Sequence, residues 1–123
     1  PNTFNIQISL CIKIGVEKMN IEEVAFTLIA HAGQAKSFAF DALKKARENK
    51  FDEADELIQQ SQIEVNKAHK GQMDLLVSEA NGQKTEVSIL LIHSQDHLMT
   101  CMLAIDLIKE MIEMLKEKEK GEN

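Results

Sequence analysis

His93 and His97 stand four residues apart, so on any helix they share one face. Asp96 lies three residues from His93 and near the same face, and Gln95 falls between them. Neutral imidazole is a nucleophile near pH 7, a metal ligand and a proton carrier. A neighbouring carboxylate can pair with His⁺ or hold a cation. The H-x-x-D-H run lacks the glutamate of H-E-x-x-H, which disfavours a zinc protease. No segment offers the E-x-x-H that a di-iron bundle needs. A Gly-rich phosphate loop, G-x-S-x-G and a Cys/His nucleophile spacing are all missing from the sequence. His31 and His69 have no partner at metal spacing, and His31 reads as a surface or core-edge residue. Taken alone, two histidines at this spacing read first as those of an ordinary solvated or hydrogen-bonded helix face.

The helix that must carry them begins near Thr85 by its pattern and shows no break until the charged tail from Lys116 to Asn123. Placed at 100° steps, Leu91, Leu98, Ile105 and Ile112 form one seam, with Cys101, Ile108 and Leu115 beside it. A second stripe holds Ile89, His93, Asp96, Thr100, Ala104, Leu107, Met111 and Met114, with His97 at its edge. One helix of a three-helix monomer buries one stripe, so the second is expected to meet another copy of the chain; a central place in its own bundle is the other account. Beneath such a contact Asp96 would need compensation by His⁺, by a metal ion, or by a cation shared among symmetry copies.

Two helices precede it. Asn20 is placed to cap the first, with Glu23 reaching back, and Val24, Ala25, Leu28, Ile29, Ala32, Ala35, Ala39 and Leu43 recur at helical spacing until Asn49-Lys50. Asp52, after Phe51, starts the second. Ala54, Leu57, Ile58, Ser61, Val65 and Ala68 share its face, and Asn81-Gly82 is its stop. Short connections make successive helices antiparallel, which predicts an all-α, up-down-up three-helix bundle.

Composition agrees. The 123 residues suit one domain large enough for a core without disulfide or metal staples. A net charge of −6 with no basic block argues against phosphate-backbone binding, and the absence of Trp and Tyr against base stacking. No apolar run reaches membrane-spanning length. Cys11 and Cys101 form no CxxC pair, as expected of a reduced, cytoplasmic protein. Residues 1–18 do not match the rest. Phe4, Ile6, Ile8, Leu10, Ile12, Ile14 and Val16 alternate with period two, a strand pattern. This stretch reads either as a translated leader or cloning-derived extension before Met19, or as a native extension; residues 19–123 make the helical domain.

The string Leu90-Leu91-Ile92-His93-Ser94-Gln95-Asp96-His97-Leu98-Met99-Thr100 resembles the signature of the lactose/cellobiose-type enzyme IIA of the phosphoenolpyruvate-dependent sugar phosphotransferase system. The usual core is H-A-Q-D-H-L-M, with Ser94 the one departure. Ala32-Gly33-Gln34-Ala35-Lys36-Ser37 resembles A-G-x-A-[RK]-S of that family's first helix. Ala42-Leu43-Lys44-Lys45-Ala46, Phe51-Asp52-Glu53-Ala54, Ala68-His69-Lys70-Gly71-Gln72 and Glu79-Ala80-Asn81-Gly82 match its other blocks. The likeness runs from residue 19 to about 115 and leaves residues 1–18 outside, in keeping with the leader reading.

The resemblance implies a phosphoryl carrier. His93 matches the phosphorylated histidine, accepting from the histidine-containing phosphocarrier protein and giving to a cysteine of the cognate IIB component. That component works beside a membrane IIC permease in uptake of a β-disaccharide of the lactose, cellobiose or chitobiose class. Gln95 and His97 match residues lining the active site, and Asp96 matches a ligand to a divalent cation where three subunits meet. Three carboxylates on one axis give oxygen-only ligation, which suits Mg²⁺, one per homotrimer. Two other readings stand beside it: a metal-binding trimeric helical bundle with a structural role, and a non-catalytic helical adaptor.

Overall fold

A computed structural model describes residues 20–122. Its elements are three helices, α1 (Ile21–Arg47), α2 (Phe51–Ala80) and α3 (Ile89–Glu122). The alternating segment from Phe4 to Val16, Cys11 and the boundary at Met19 lie outside the described residues.

Local chemistry sets the helix ends. The Asn20 side chain accepts from the Glu22 amide at 3.0 Å, satisfying one of the free N–H groups of the first turn. The cap is therefore as expected, although the reciprocal bond from Glu23 is not among those of the described residues. At the far end of α1 the Lys50 amide donates to Lys45 and the Asn49 amide to Ala46, with Asn49 at φ 60°. At the end of α2 the Gln83 amide donates to Ser78 and the Gly82 amide to Glu79, with Gly82 at φ 85°. Both ends are Schellman closures, which need one left-handed residue; Gly and Asn supply it at least cost.

The third helix departs from its expected bounds twice. It starts at Ile89, four residues after Thr85, because Ser88 caps it: the Ser88 hydroxyl accepts from the Leu91 amide at 3.1 Å. It also continues through the charged tail to Glu122. Lys116 ties that segment down, donating to Asp55 of α2 at 2.9 Å and to Glu113 at 3.3 Å.

α1 packs along both other helices, which touch each other less. Its inner line is almost all alanine: Ala25, Ala32, Ala35, Ala39, Ala42 and Ala46, each at most 1% exposed. Small side chains let backbones approach. Ser61 reaches from α2 to donate to the Ala35 carbonyl at 2.6 Å, and Cys101 from α3 to the Ala32 carbonyl at 3.1 Å. Desolvation in that position pushes the Cys101 thiol up, so it stays protonated and inert. The volume of the core comes from α3, where Leu98, Cys101, Ile105, Ile108 and Ile112 are buried as the first seam requires, with Leu91 and Leu115 partly so. No buried side-chain nitrogen or oxygen among the described residues lacks a partner.

Cross-helix pairs fix relative level. His31 meets Glu64, Ala35 meets Ser61 and Lys45 meets Glu53. Gln72 meets Gln95, Gln62 meets Lys109 and Asp55 meets Lys116. In both series the numbers rise on one helix as they fall on the other.

Candidate functional site

His93 is the fifth residue of α3. The Ser88 cap thus sets it about 6 Å of helix rise from the N-terminus, nearer than a start at Thr85 would. That end carries the positive pole of the helix dipole and favours an anion nearby. No Lys or Arg occurs between Lys84 and Lys109, so the dipole is the positive feature that α3 itself contributes here.

The two imidazoles meet edge to face, with ring centroids 4.4 Å apart and planes at 81°. Their Nε2 atoms are 3.1 Å apart. Two lone pairs cannot face each other at that distance, so one Nε2 carries a proton and the other accepts it. The other nitrogen of His93, Nδ1, lies 3.3 Å from Asp96 Oδ1. That contact is an ion-pair distance rather than a hydrogen bond, and either ring is the donor of the Nε2 pair according to its tautomer. Ligand atoms of His93, Asp96 and His97 all lie within 4.8 Å of one another.

The site is open in the single chain. The His93 side chain is 53% exposed and that of Asp96 63%; His97 is half-buried. The apolar part of the same stripe is exposed too, with Ile89 at 86%, Leu107 at 50%, Met111 at 44% and Met114 at 66%. The second stripe is therefore not buried by a central position in its own bundle. Asp96 carries no desolvation problem within one chain; one arises only when another chain covers it.

Gln95 is not brought to the histidines. Two residues from His93 on a helix, it points to the other side and accepts from Gln72 Nε2 at 2.6 Å. Together they line a cavity of about 190 Å³ between α2 and α3, walled by Leu75, Leu76, Val87 and Leu91. The pairing of Gln72 with Gln95 is not foreseeable from the sequence because nothing local marks a partner 23 residues away. Ser94 is fully buried on the core side and donates to the Leu91 carbonyl at 2.6 Å, so this substitution does not touch the histidine face. His31 is indeed at the core edge, its Nδ1 2.7 Å from Glu64 Oε2. His69 stands on α2, away from the pair.

Fold and site together define, over the described residues, an all-helical domain that displays a histidine pair beside a carboxylate on an exposed helix face. The family model described as the lactose/cellobiose-specific IIA subunit of the phosphotransferase system (PTS) matches residues 23–116, and the chain belongs to that family. It is 42% identical over 106 residues to the lactose-specific EIIA component of Lacticaseibacillus casei, covering 86% of this chain and 95% of that protein. The crystal structure of the cellobiose-specific enzyme IIA from Bacillus anthracis superposes with a TM-score of 0.80 at 43% identity, covering 83% of this chain and 94% of that one. A solution structure of the IIA(chitobiose)–HPr complex of the Escherichia coli phosphotransferase system matches with a TM-score of 0.72 at 42% identity, covering 82% and 98%. Family membership makes the chain a component of a sugar phosphotransferase system, and among the described residues no helix is long and apolar enough to cross a membrane.

Proposed function

We propose that this chain is the cytoplasmic phosphoryl carrier of a β-disaccharide transport system, with His93 Nε2 as the atom that carries the group. The arrangement at His93 supports this most directly: Asp96 at one ring nitrogen, His97 at the other, on an exposed face. The Nε2 lone pair attacks phosphorus on the phosphohistidine of the phosphocarrier protein. The new P–N bond forms as the donor's P–N bond breaks, and the donor imidazole leaves. The Asp96 carboxylate stabilises the positive charge that builds on the His93 ring through Nδ1–H. His97 turns its Nε2–H from His93 Nε2 to a phosphoryl oxygen, and the nearby helix terminus favours the anion. Little covalent work is left for the protein beyond positioning and charge stabilisation. In the second half-reaction a cysteine thiolate of the IIB component attacks the same phosphorus and His93 leaves with its lone pair restored. A IIC permease completes the system. The HPr-bound E. coli relative supports the phosphocarrier as the donor.

The bundle is read as up-down-up, in accord with the two series of cross-helix pairs, and as a homotrimer joined along the second stripe. Four large apolar side chains that one chain leaves in water support that contact. In the trimer, Gln95 of each chain is available to phosphate only if it leaves Gln72. Three Asp96 carboxylates brought to one axis would hold Mg²⁺, which would supply compensation for their mutual repulsion. One Asp96 oxygen faces His93, and the other is free for such an axis. Incubation with phosphoenolpyruvate, enzyme I and the phosphocarrier protein tests the reading. Acid-labile label on the parent, absent from His93→Ala, is the expected result; full labelling of His93→Ala overturns it.

A further inference from the structure

We propose that His93 and His97 of a single chain also form a chelating site for a nitrogen-preferring divalent ion such as Zn²⁺, whose occupancy excludes phosphorylation. The inference rests on the carrier reading only for its consequence; the binding itself does not need that reading.

Three features of the geometry point to it. The two Nε2 atoms are 3.1 Å apart. Two nitrogens bound at roughly 2.0–2.1 Å to one tetrahedral ion stand about 3.3 Å apart, so a small ring movement makes the bite. Second, Asp96 Oδ1 stands 3.3 Å from the other ring nitrogen of His93, Nδ1. A carboxylate behind a ligating imidazole fixes the tautomer and raises its basicity, the arrangement common behind metal-bound histidines. Third, the histidines project from consecutive turns of one continuous helix, so the ligand spacing is held by backbone hydrogen bonds rather than by a loop.

His97 gives up the Nε2 proton it shares with His93 by taking its Nδ1–H tautomer, and both Nε2 lone pairs then face the ion. Water fills the remaining positions. Imidazole ligation selects Zn²⁺, Ni²⁺ or Cu²⁺ over Mg²⁺. The Mg²⁺ proposed for the threefold axis uses carboxylate oxygen instead, so the two ions call on different atoms. Metal and phosphoryl group compete for one lone pair, that of His93 Nε2. A phosphorylated chain has lost it, and a metal-bound chain cannot attack phosphorus.

The test is calorimetric titration of the full chain with Zn²⁺ alone, before and after phosphorylation, alongside His93→Ala, His97→Ala and Asp96→Asn. Circular dichroism confirms that each variant keeps its helices; the three side chains are not core residues. The expected result is at least tenfold weaker binding in either alanine variant and in the phosphorylated chain. Asp96→Asn is expected to bind 10–100-fold more weakly, as loss of an outer-shell partner does. Zn²⁺ should also slow transfer from pre-phosphorylated phosphocarrier protein, with EDTA restoring the rate. Unchanged binding in His93→Ala, or in the phosphorylated chain, overturns the site. Failure of phosphotransfer in metal-free protein overturns the carrier reading and leaves the chelating site standing.

Discussion

Two apolar stripes of this molecule have the same helical period and opposite fates. The inner line of α1 is built from small residues and is buried throughout. The second stripe of α3 is built from large ones, Leu107, Met111 and Met114 among them, and one chain leaves it in water. Small residues let α1 lie close to two helices at once; their value is in the carbonyls they bring within reach of Ser61 and Cys101. Large residues would be wasted there and would force the bundle apart. Left outside, they offer area to a second molecule. The histidine pair belongs to the open stripe, on a face that one chain leaves exposed.

The sharpest break is expected at the histidine end of the open stripe. His93→Ala should remove phosphotransfer altogether with no change in helicity, whereas His97→Ala should keep some labelling and slow onward transfer. Rapid-quench measurement of both steps separates the two. Next is the contact proposed for the apolar end. Replacing Leu107 and Met111 together by Asp should leave a folded chain whose light-scattering mass is close to the single-chain 13.9 kDa, against a trimeric parent. A parent already at that mass removes the trimer.

The buried stripe should respond in the opposite way. Ala35→Leu inserts volume where the Ala35 carbonyl meets Ser61, and overpacking of this kind costs about 1–3 kcal/mol. Leu107→Ala should move the stability of the separated chain by no more than about 0.5 kcal/mol. Urea unfolding of both variants at concentrations where subunits separate would make the comparison. Equal effects would mean that the two stripes do not differ as described.

The smallest effect expected is a pH dependence at the rim of the core. Glu64 is held below the ordinary carboxylate range by its bond to His31 first, then by Lys67. A lowered folded pKa gives stability that is present above the unfolded value and is lost as pH falls through the folded one. His31→Phe should therefore lower stability above about pH 4.5, where that contribution is present, and so flatten the acid limb, with the least change at the acid end. Thermal unfolding between pH 3 and 7 reads this directly.

Much of this was legible locally. The alanine and isoleucine seams, the Asn20 cap and the stops at Asn49 and Gly82 are set by residues within a few positions of each other, and they came out where the pattern put them. The start of α3 did not. Thr85 continues the apolar pattern backwards, but periodicity records which positions would face a core. It does not record whether a hydroxyl at Ser88 will take the Leu91 amide first. Family resemblance places Gln95 at the active site; within one chain its position two residues from His93 turns it to Gln72, a contact that no local pattern marks.

The sequence by itself determined the three helices and the shared face of His93, Asp96 and His97, because i, i+3 and i+4 neighbours are fixed by helical pitch whatever surrounds them. Only the tertiary structure decided whether the chain buries the second α3 stripe as well as the first. That choice depends on where α1 and α2 lie, and on their alanines being small enough to accept the isoleucine seam. It also decided the pairing of Glu64 with His31, of Gln72 with Gln95 and of Lys116 with Asp55. Contacts between helices depend on the level at which the helices meet, and no spacing along a single helix contains that level.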